Sequence, residues 1–168
     1  MITDLMRRRV RSSPRLARVF LNLWPPLLGA GIRVAEISSD YRHVRVELPL
    51  RWYNANAVGT QFGGSIYAMS DPFYMLMYIR ALGPQYVVWD QAARVEFLKP
   101  GRRRLVAEFD LGEEDTEEVR RRTADGSKHV FDKEVLVHDD EGLLVARVTK
   151  TLYVRRKESP VVPATETA

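Results

Sequence analysis

The chain has 168 residues, of which 45% are hydrophobic and 29% charged; this composition excludes a disordered chain and predicts one domain with its own core. It contains no cysteine, which excludes disulfides, a thiolate nucleophile and cysteine zinc sites, and we expect a cytoplasmic protein. The net charge of +4 is compatible with an anionic ligand but too small to predict a nucleic acid partner.

The first thirty residues form a basic segment whose only acid is Asp4. Its arginines are Arg7, Arg8, Arg9, Arg11, Arg15 and Arg18. Apolar residues at helical spacing overlap with them: Leu16, Val19, Phe20, Leu23 and Trp24. Pro25 and Pro26 must end this helix. A targeting peptide or a helix lying on an anionic membrane would share the pattern. We expect instead a short helix that packs its apolar face on the domain and keeps its arginines in solvent.

Most of the remaining chain shows strand patterns. The predicted elements are a hairpin at 32–48, a loop at 51–60, strands at 86–98, 105–111, 129–138 and 143–155, and a short exposed helix within 112–128. We therefore expect a helical unit at 1–30, an α+β domain at 31–155 and a disordered tail at 156–168.

The segment between the hairpin and the long strands carries the candidate chemistry. Apolar residues at helical spacing predict an amphipathic helix over 64–81 that begins at Gly63 and Gly64. Asp71 lies in the middle of its apolar surroundings, and a buried carboxylate is costly unless it is paired or used. Pro72 removes a backbone donor, which predicts a kink at that point.

Two motifs resemble hotdog-fold acyl-CoA thioesterases of the phenylacetate-pathway type. They are Asn56-x-x-Gly59-x-x-Phe62-Gly63-Gly64-x-x-x-x-x-x-Asp71 and the segment from Phe97 to Ala107. The residues Phe-Gly-Gly and Asp-Pro in this segment are most similar to those of an uncharacterised thioesterase-like branch. Phe62 departs from the family pattern, because a histidine usually precedes the two glycines. The resemblance spans about residues 31–155.

This resemblance implies an α+β hotdog fold, in which an antiparallel sheet wraps around one long helix, here with an extra N-terminal helix. It also implies a homodimer or homotetramer in which two antiparallel helices bring Asp71 of one chain toward the glycines of the other. The chain itself supports this arrangement, because Asp71 lies about 12 Å along the helix from the glycines. A long strand at the edge of a sheet also needs a cover.

The candidate catalytic roles follow from the chemistry of thioester hydrolysis. The unpaired N–H groups of Gly63 and Gly64 are candidate donors to the oxyanion. Asp71 is the candidate base or nucleophile, Asn56 is expected to position the water or the carbonyl, and Gln61 is a further polar candidate. A plain turn at the glycines and a locally hydrogen-bonded acid at position 71 are the alternatives.

The expected substrate is an acyl-CoA or another acyl thioester, with no further cofactor. Candidate residues around the acyl group are Phe62, Tyr67, Phe73, Tyr74, Met77 and Asp90. A basic turn, Lys99 with Arg102, Arg103 and Arg104, is the candidate site for the coenzyme A phosphates, the alternative being a solvated turn. The three histidines, His43, His129 and His138, lack metal-binding spacing, so no metal is expected.

Two other functions remain open from the sequence. Because Phe62 replaces the usual histidine, the protein could bind acyl-CoA without hydrolysing it. An arginine-rich, membrane-associated scaffold is the third alternative. A dehydratase is disfavoured because the histidine that such hotdog enzymes use has no counterpart here.

Overall fold

The structure is a computed structural model that describes residues 13–157. Its helices are α1 (Pro14–Leu23), α2 (Pro25–Ala30), α3 (Gly63–Ala68), α4 (Phe73–Leu82) and α5 (Glu113–Arg122). Its strands are β1 (Arg33–Ile37), β2 (His43–Leu48), β3 (Tyr86–Phe97), β4 (Leu105–Asp110), β5 (Lys128–Asp139) and β6 (Leu144–Arg156). The predicted strands and the predicted helix in the charged segment are therefore confirmed.

The six strands form one antiparallel sheet in the order β1-β2-β4-β5-β6-β3. The inward faces of these strands are apolar, as the alternating sequence patterns predict, and they cover the buried side of α4. The Phe73 ring lies 5.0 Å from Phe109, and the Tyr74 ring meets Phe109 edge-on at 5.3 Å. This sheet wrapped around a helix is the α+β hotdog fold that the resemblance implies.

The central helical segment differs from the single helix predicted over 64–81, because residues 69–72 interrupt it between α3 and α4. Pro72 has no N–H to donate to the preceding turn. The Ser70 hydroxyl donates to the Tyr67 carbonyl at 2.7 Å and so competes with the helical bonding pattern. The predicted kink is therefore a full break, and Asp71 lies within it.

The N-terminal helices cover the β1 edge of the sheet. Asn22 makes two hydrogen bonds with the Val34 backbone, at 2.9 and 3.0 Å, and so extends the pairing of the edge strand. The prolines at 25 and 26 end α1 as predicted, but they also begin α2, since proline suits the first turn of a helix.

The predicted apolar face of α1 packs only in part: Trp24, at the end of the helix, packs against the core, and Phe20 is partly buried. Ala17 and Leu21 are buried, whereas Leu16, Val19 and Leu23 face outward and are more than half exposed. The expected packing through these three residues is therefore wrong: the side of α1 that carries Ala17 and Leu21 is the one the domain buries.

The described residues do not include the predicted tail beyond residue 157, nor four of the N-terminal arginines: Arg7, Arg8, Arg9 and Arg11. The strand β6 runs through Arg156, so the sheet ends slightly later than predicted.

The strand β3 occupies one edge of the sheet over twelve residues. Its exposed side chains include Trp89 and Phe97, and Leu98 beyond its end is also exposed. A long open edge with apolar side chains is a surface that proteins usually cover.

Candidate functional site

The glycine segment starts the first central helix. Phe62 precedes α3, and the backbone N–H groups of Gly63 and Gly64 make no hydrogen bond within residues 13–157. A Cβ atom on Gly63 would lie 2.9 Å from Cζ of Phe97, and one on Gly64 would clash with the ring of Phe62. The two glycines therefore leave donors unpaired and also make room for two aromatic rings.

Phe62 lies on the surface beside these donors. Its ring is more than half exposed and packs across Gly64. A shallow cavity of about 400 Å³ adjoins it, lined by Gly29, Ala30, Tyr53, Asn54, Ala55, Phe62, Gly64 and Ser65. The ring thus covers part of the approach to the glycine backbone in this conformation.

Asp71 belongs to a four-residue cluster at the break between α3 and α4. The Lys150 ammonium donates to Oδ1 of Asp71 at 2.8 Å, and the Tyr67 hydroxyl donates to the same oxygen at 2.9 Å. The ammonium also lies 3.2 Å from Oδ2 of Asp90. The Lys150 side chain is 0% exposed, that of Asp90 17% and that of Asp71 46%, so the cluster runs from the core to the surface.

The electrostatics of the cluster follow from burial and from these contacts. Burial alone would lower the pKa of Lys150, but the hydrogen bond to Asp71 and the charge of Asp90 raise it above its usual value. Burial raises the pKa of Asp90, and the nearby ammonium opposes this shift. Burial and the hydrogen bond to Asp71 raise the pKa of Tyr67. The lysine therefore stays charged at neutral pH.

Lys150 is the functional candidate that the sequence reasoning missed. The strand β6 places Val148, Leu152 and Val154 on the core side at a spacing of two, and Lys150 is in phase with them. A cation at an inward position of an otherwise apolar strand needs a buried acid. This pattern was the signal that could have identified it.

The sheet register explains why Asp90 reaches the lysine. Asp90 is opposite Leu152, and a bulge between Asp90 and Ala92 shifts the pairing so that Ala93 is opposite Lys150. Asp90 thus shares the core face with Lys150, whose ammonium contacts both Asp90 and Asp71. Bulges often adjust the aim of a side chain beside a functional site.

Asn56 and Gln61 hold the loop before α3 in place. The amide of Asn56 donates to the Thr60 hydroxyl at 2.8 Å and its oxygen accepts from the Thr60 backbone at 3.0 Å. The amide of the buried Gln61 donates to the carbonyls of Leu48 and Arg103 at 2.8 and 3.0 Å. The N–H groups of both amides donate to internal partners, while Oε1 of Gln61 is buried and has no hydrogen-bond partner among residues 13–157. The roles expected for these two residues in the reaction stay predictions.

Phe73, Tyr74 and Met77 fill the core of the chain instead of lining an open surface. Their rings and thioether pack under the sheet because they occupy the buried face of α4. In the single chain these three residues are therefore buried, and their expected place around the acyl group stays a prediction. Of the predicted residues around the acyl group, Phe62 and Tyr67 are the exposed ones.

The basic turn lies directly beside the glycine segment. The Gln61 N–H donates to the Gly101 carbonyl at 2.8 Å, which ties the turn to the residue before Phe62. Arg103 pairs with Glu141 at 2.9 Å, and Arg104 lies 3.7 Å from both Glu47 and Asp140. Lys99 and Arg102 are exposed and form no ion pair with any described residue. These two cations are the ones available to a ligand.

The histidines play ordinary structural parts. His43 contacts Asp110 at 2.8 Å, His129 stacks on Phe131, and His138 lies on the outer face of the sheet. In the described part of the chain, the His, Asp and Glu side chains form no group of three or more that could hold a metal ion. No helix between residues 13 and 157 has the length and apolar character that crossing a bilayer requires.

The chemical capacity of the cluster lies in the second oxygen of Asp71. Both hydrogen bonds go to Oδ1, and Oδ2 accepts none from the residues that the structure describes. Because the side chain is half exposed, a water can reach this oxygen. The arrangement can therefore take a proton from water or attack an electrophilic carbon.

Comparisons with solved structures give the same fold. A Pseudomonas aeruginosa protein described as a probable thioesterase has a TM-score of 0.68 at 15% identity, over 92% of this chain and 95% of that one. A thioesterase from Haemophilus influenzae has a TM-score of 0.62 at 15% identity, over 89% and 95%. A protein of unknown function from Chlorobaculum tepidum reaches 0.67 at 15% identity, over 87% and 98%.

At these identities the likeness shows the hotdog fold alone, and thioesterase-like proteins are among those that share it. No curated protein is matched by the sequence. A family model described as a domain of unknown function, DUF4442, matches residues 13–154, which include α1 and α2 as well as the whole helical segment and most of the sheet. The chain is a member of the DUF4442 family.

Proposed function

We propose that this protein hydrolyses an acyl thioester, with Asp71 as the general base or nucleophile. The observation that carries the proposal is the half-exposed Asp71 carboxylate, anchored through one oxygen while the other remains free. The shared fold with proteins described as thioesterases adds support at the level of the fold.

In the proposed reaction, Asp71 Oδ2 takes a proton from water as the water oxygen attacks the thioester carbon. The carbonyl oxygen becomes an oxyanion that backbone N–H groups stabilise. The carbon–sulfur bond then breaks, and the proton on Asp71 passes to the thiolate. In the nucleophilic variant, Asp71 attacks the carbon itself, the thiolate leaves, and water hydrolyses the resulting anhydride.

The proposed oxyanion donors are Gly63 and Gly64 of the partner subunit in a homodimer. The glycines begin α3, whereas Asp71 lies three residues beyond the other end of that helix, so we infer that the glycines of a second chain meet the carbonyl that Asp71 acts on. The open edge of β3 and its exposed apolar residues support a second copy as the cover. A two-fold pairing of these edges would complete two identical sites.

The proposed substrate is an acyl-CoA. Lys99 and Arg102 are free of ion pairs within residues 13–157 and belong to the turn bonded to Gln61 beside the glycines, where they could hold phosphates. Phe62 and Tyr67, the exposed aromatic residues at the two ends of α3, supply apolar surface for the acyl group. The composition without cysteine remains the basis for expecting a cytoplasmic enzyme.

A second candidate, a protein that binds acyl-CoA without hydrolysing it, is favoured by one observation. The ring of Phe62 packs across Gly64 and covers part of the backbone that would polarise the carbonyl. Restoring the histidine with Phe62→His is the informative variant, since a gain of turnover in that variant alone would show that Phe62 disables the chemistry.

A panel of acyl-CoA substrates, assayed by release of free thiol, separates the two candidates. We expect the wild-type protein to release coenzyme A catalytically from at least one member of the panel. Tight binding of an acyl-CoA without turnover would instead establish the binding protein. If the protein shows no binding and no turnover, both candidates are refuted.

A further inference from the structure

Among the lysines that the structure describes, only Lys150 is buried. Its neighbours on the same face of β6, including Val148 and Leu152, are apolar. Well-packed apolar residues are often as stabilising as a buried ion pair, or more so, so stability alone does not explain a lysine here. The side chain ends in contact with the carboxylate that the proposed function uses.

The contacts of Lys150 restrict the orientation of Asp71. An aspartate carboxylate turns easily about its last bond when nothing holds it. Here the ammonium and the Tyr67 hydroxyl both donate to Oδ1, and the ammonium lies 5.1 Å from the centre of the Tyr67 ring. Two donors on one oxygen direct the other oxygen away from the core.

Asp90 acts on this arrangement through the lysine. Its Oδ2 lies 3.2 Å from the ammonium, while its Oδ1 is buried and has no hydrogen-bond partner among residues 13–157. The bulge in β3 beside Asp90 sets this contact. The ammonium is thus held between two carboxylates from different parts of the fold, one in the core and one at the surface.

We propose that Lys150, held in place by Asp90, is a positioning residue that fixes Asp71 so that its free oxygen faces the reacting water. This inference rests on the proposed function, because it concerns the same carboxylate. Loss of the ammonium would let the carboxylate turn, and a misplacement of about 1 Å can cost about a hundredfold in rate.

The test compares three variants in acyl-CoA hydrolysis, measured by thiol release at a temperature where circular dichroism shows each to be folded. Lys150→Met keeps the apolar stem but removes the ammonium. Lys150→Met combined with Asp90→Asn also removes the buried charge that would otherwise be left unpaired. Lys133→Met is the matched control, because Lys133 lies opposite Lys150 on the neighbouring strand β5 but forms a largely buried ion pair with Asp115 of α5, at 2.6 Å, instead of contacting Asp71.

We expect both Lys150 variants to lose about 10- to 100-fold in kcat, with KM changed less than about twofold. Lys133→Met should keep wild-type kcat. A wild-type kcat in the double variant would overturn the inference, since the ammonium would then serve only to neutralise Asp90.

The outcomes also separate the inference from the proposed function. If Asp71→Asn is inactive while the folded Lys150 variants turn over normally, the inference is wrong and the proposed function stands. If the wild-type protein shows no turnover, the proposed function fails and the inference fails with it.

Discussion

Removal of the buried ammonium of Lys150 should lower the free energy of unfolding, because it leaves the carboxylate of Asp90 unpaired. Lys150→Met retains the apolar volume of the side chain, so the main change is the loss of a partner for a carboxylate that is only 17% exposed. Breaking a buried ion pair on one side typically costs about 3–5 kcal/mol. The half-exposed Asp71 adds little to this figure because solvent screens it.

The loss of unfolding free energy in Lys150→Met has an upper limit, because Asp90 can bind a proton and so lose its unpaired charge. Protonating a carboxyl group of ordinary pKa 3.8 at pH 7 costs about 4.4 kcal/mol, and at pH 5 about 1.6 kcal/mol. We therefore expect Lys150→Met to lose about 3 kcal/mol of unfolding free energy at pH 7 and less than about 1.6 kcal/mol at pH 5.

The direction in which the stability of Lys150→Met changes with pH follows from proton linkage. Burial raises the pKa of Asp90 above its unfolded value, and loss of Lys150 removes the charge that opposes this rise. The folded variant then keeps a proton that the unfolded chain releases, so its stability falls as the pH rises from about 4 toward the folded-state pKa. The deficit relative to the wild-type protein must therefore grow with pH.

Urea unfolding of the wild-type and variant proteins at pH 5 and pH 7 measures this difference. The double variant Lys150→Met and Asp90→Asn should recover most of the stability, and Lys133→Met should cost no more than about 1 kcal/mol because its ion pair is partly exposed. A loss below about 1 kcal/mol at pH 7, or one that is equal at both pH values, would refute the reasoning.

Three further predictions concern the cluster, the assembly and the basic turn. Because the folded-state pKa of Lys150 is raised, its stabilising contribution should be present below pH 10.5 and be lost as the pH rises through the folded-state pKa. In urea unfolding at alkaline pH, the free energy of unfolding should therefore fall more steeply with pH for the wild-type protein than for Lys150→Met. Sedimentation at micromolar concentration should give at least a dimer, and a single species of 19.3 kDa would contradict the proposed covering of β3. Lys99→Glu combined with Arg102→Glu should raise KM for acyl-CoA at low salt and leave kcat nearly unchanged, and an unchanged KM would return these residues to a solvated turn.

The sheet was predictable because its signal is local. Alternating residues such as Val44, Val46 and Leu48 record on which side of a strand the core lies, and the structure buries each of them. The apolar residues at helical spacing that follow Gly63 and Gly64 also identified the helical segment. These patterns depend on near neighbours in the chain, which a sequence displays directly.

The break in that segment and the packing of α1 were less predictable. Pro72 indicated a kink, but the competing hydrogen bond from Ser70 to the Tyr67 carbonyl, which makes the interruption complete, is a choice of side-chain conformation. In α1, the predicted face carried Leu16, Val19 and Leu23, whereas the structure buries Ala17 and Leu21. Tertiary packing selected the face with Leu21, and the sequence of the helix alone does not encode that choice.

The cluster around Asp71 depended on contacts across the sheet. Lys150 is seventy-nine positions from Asp71 in the chain, and only the register between β3 and β6 brings Asp90 to the same ammonium. The partners of Asn56 and Gln61 were also not predictable from the motif: their amide groups donate to the Thr60 hydroxyl and to the Leu48 carbonyl, and their roles in the site stay predictions.

Turnover by Asp71→Asn is the measurement that tests the central claim most directly. The substitution keeps the size of the side chain but removes the basic carboxylate, and general-base catalysis typically contributes about 10²–10⁴ in rate. We predict a loss of at least about a hundredfold in kcat for acyl-CoA hydrolysis, with binding of a non-hydrolysable acyl-CoA analogue retained. Asp110→Asn, which alters an exposed aspartate paired with His43 on the sheet, should behave as the wild-type protein does. Wild-type turnover in Asp71→Asn would show that the carboxylate is structural and would contradict the account.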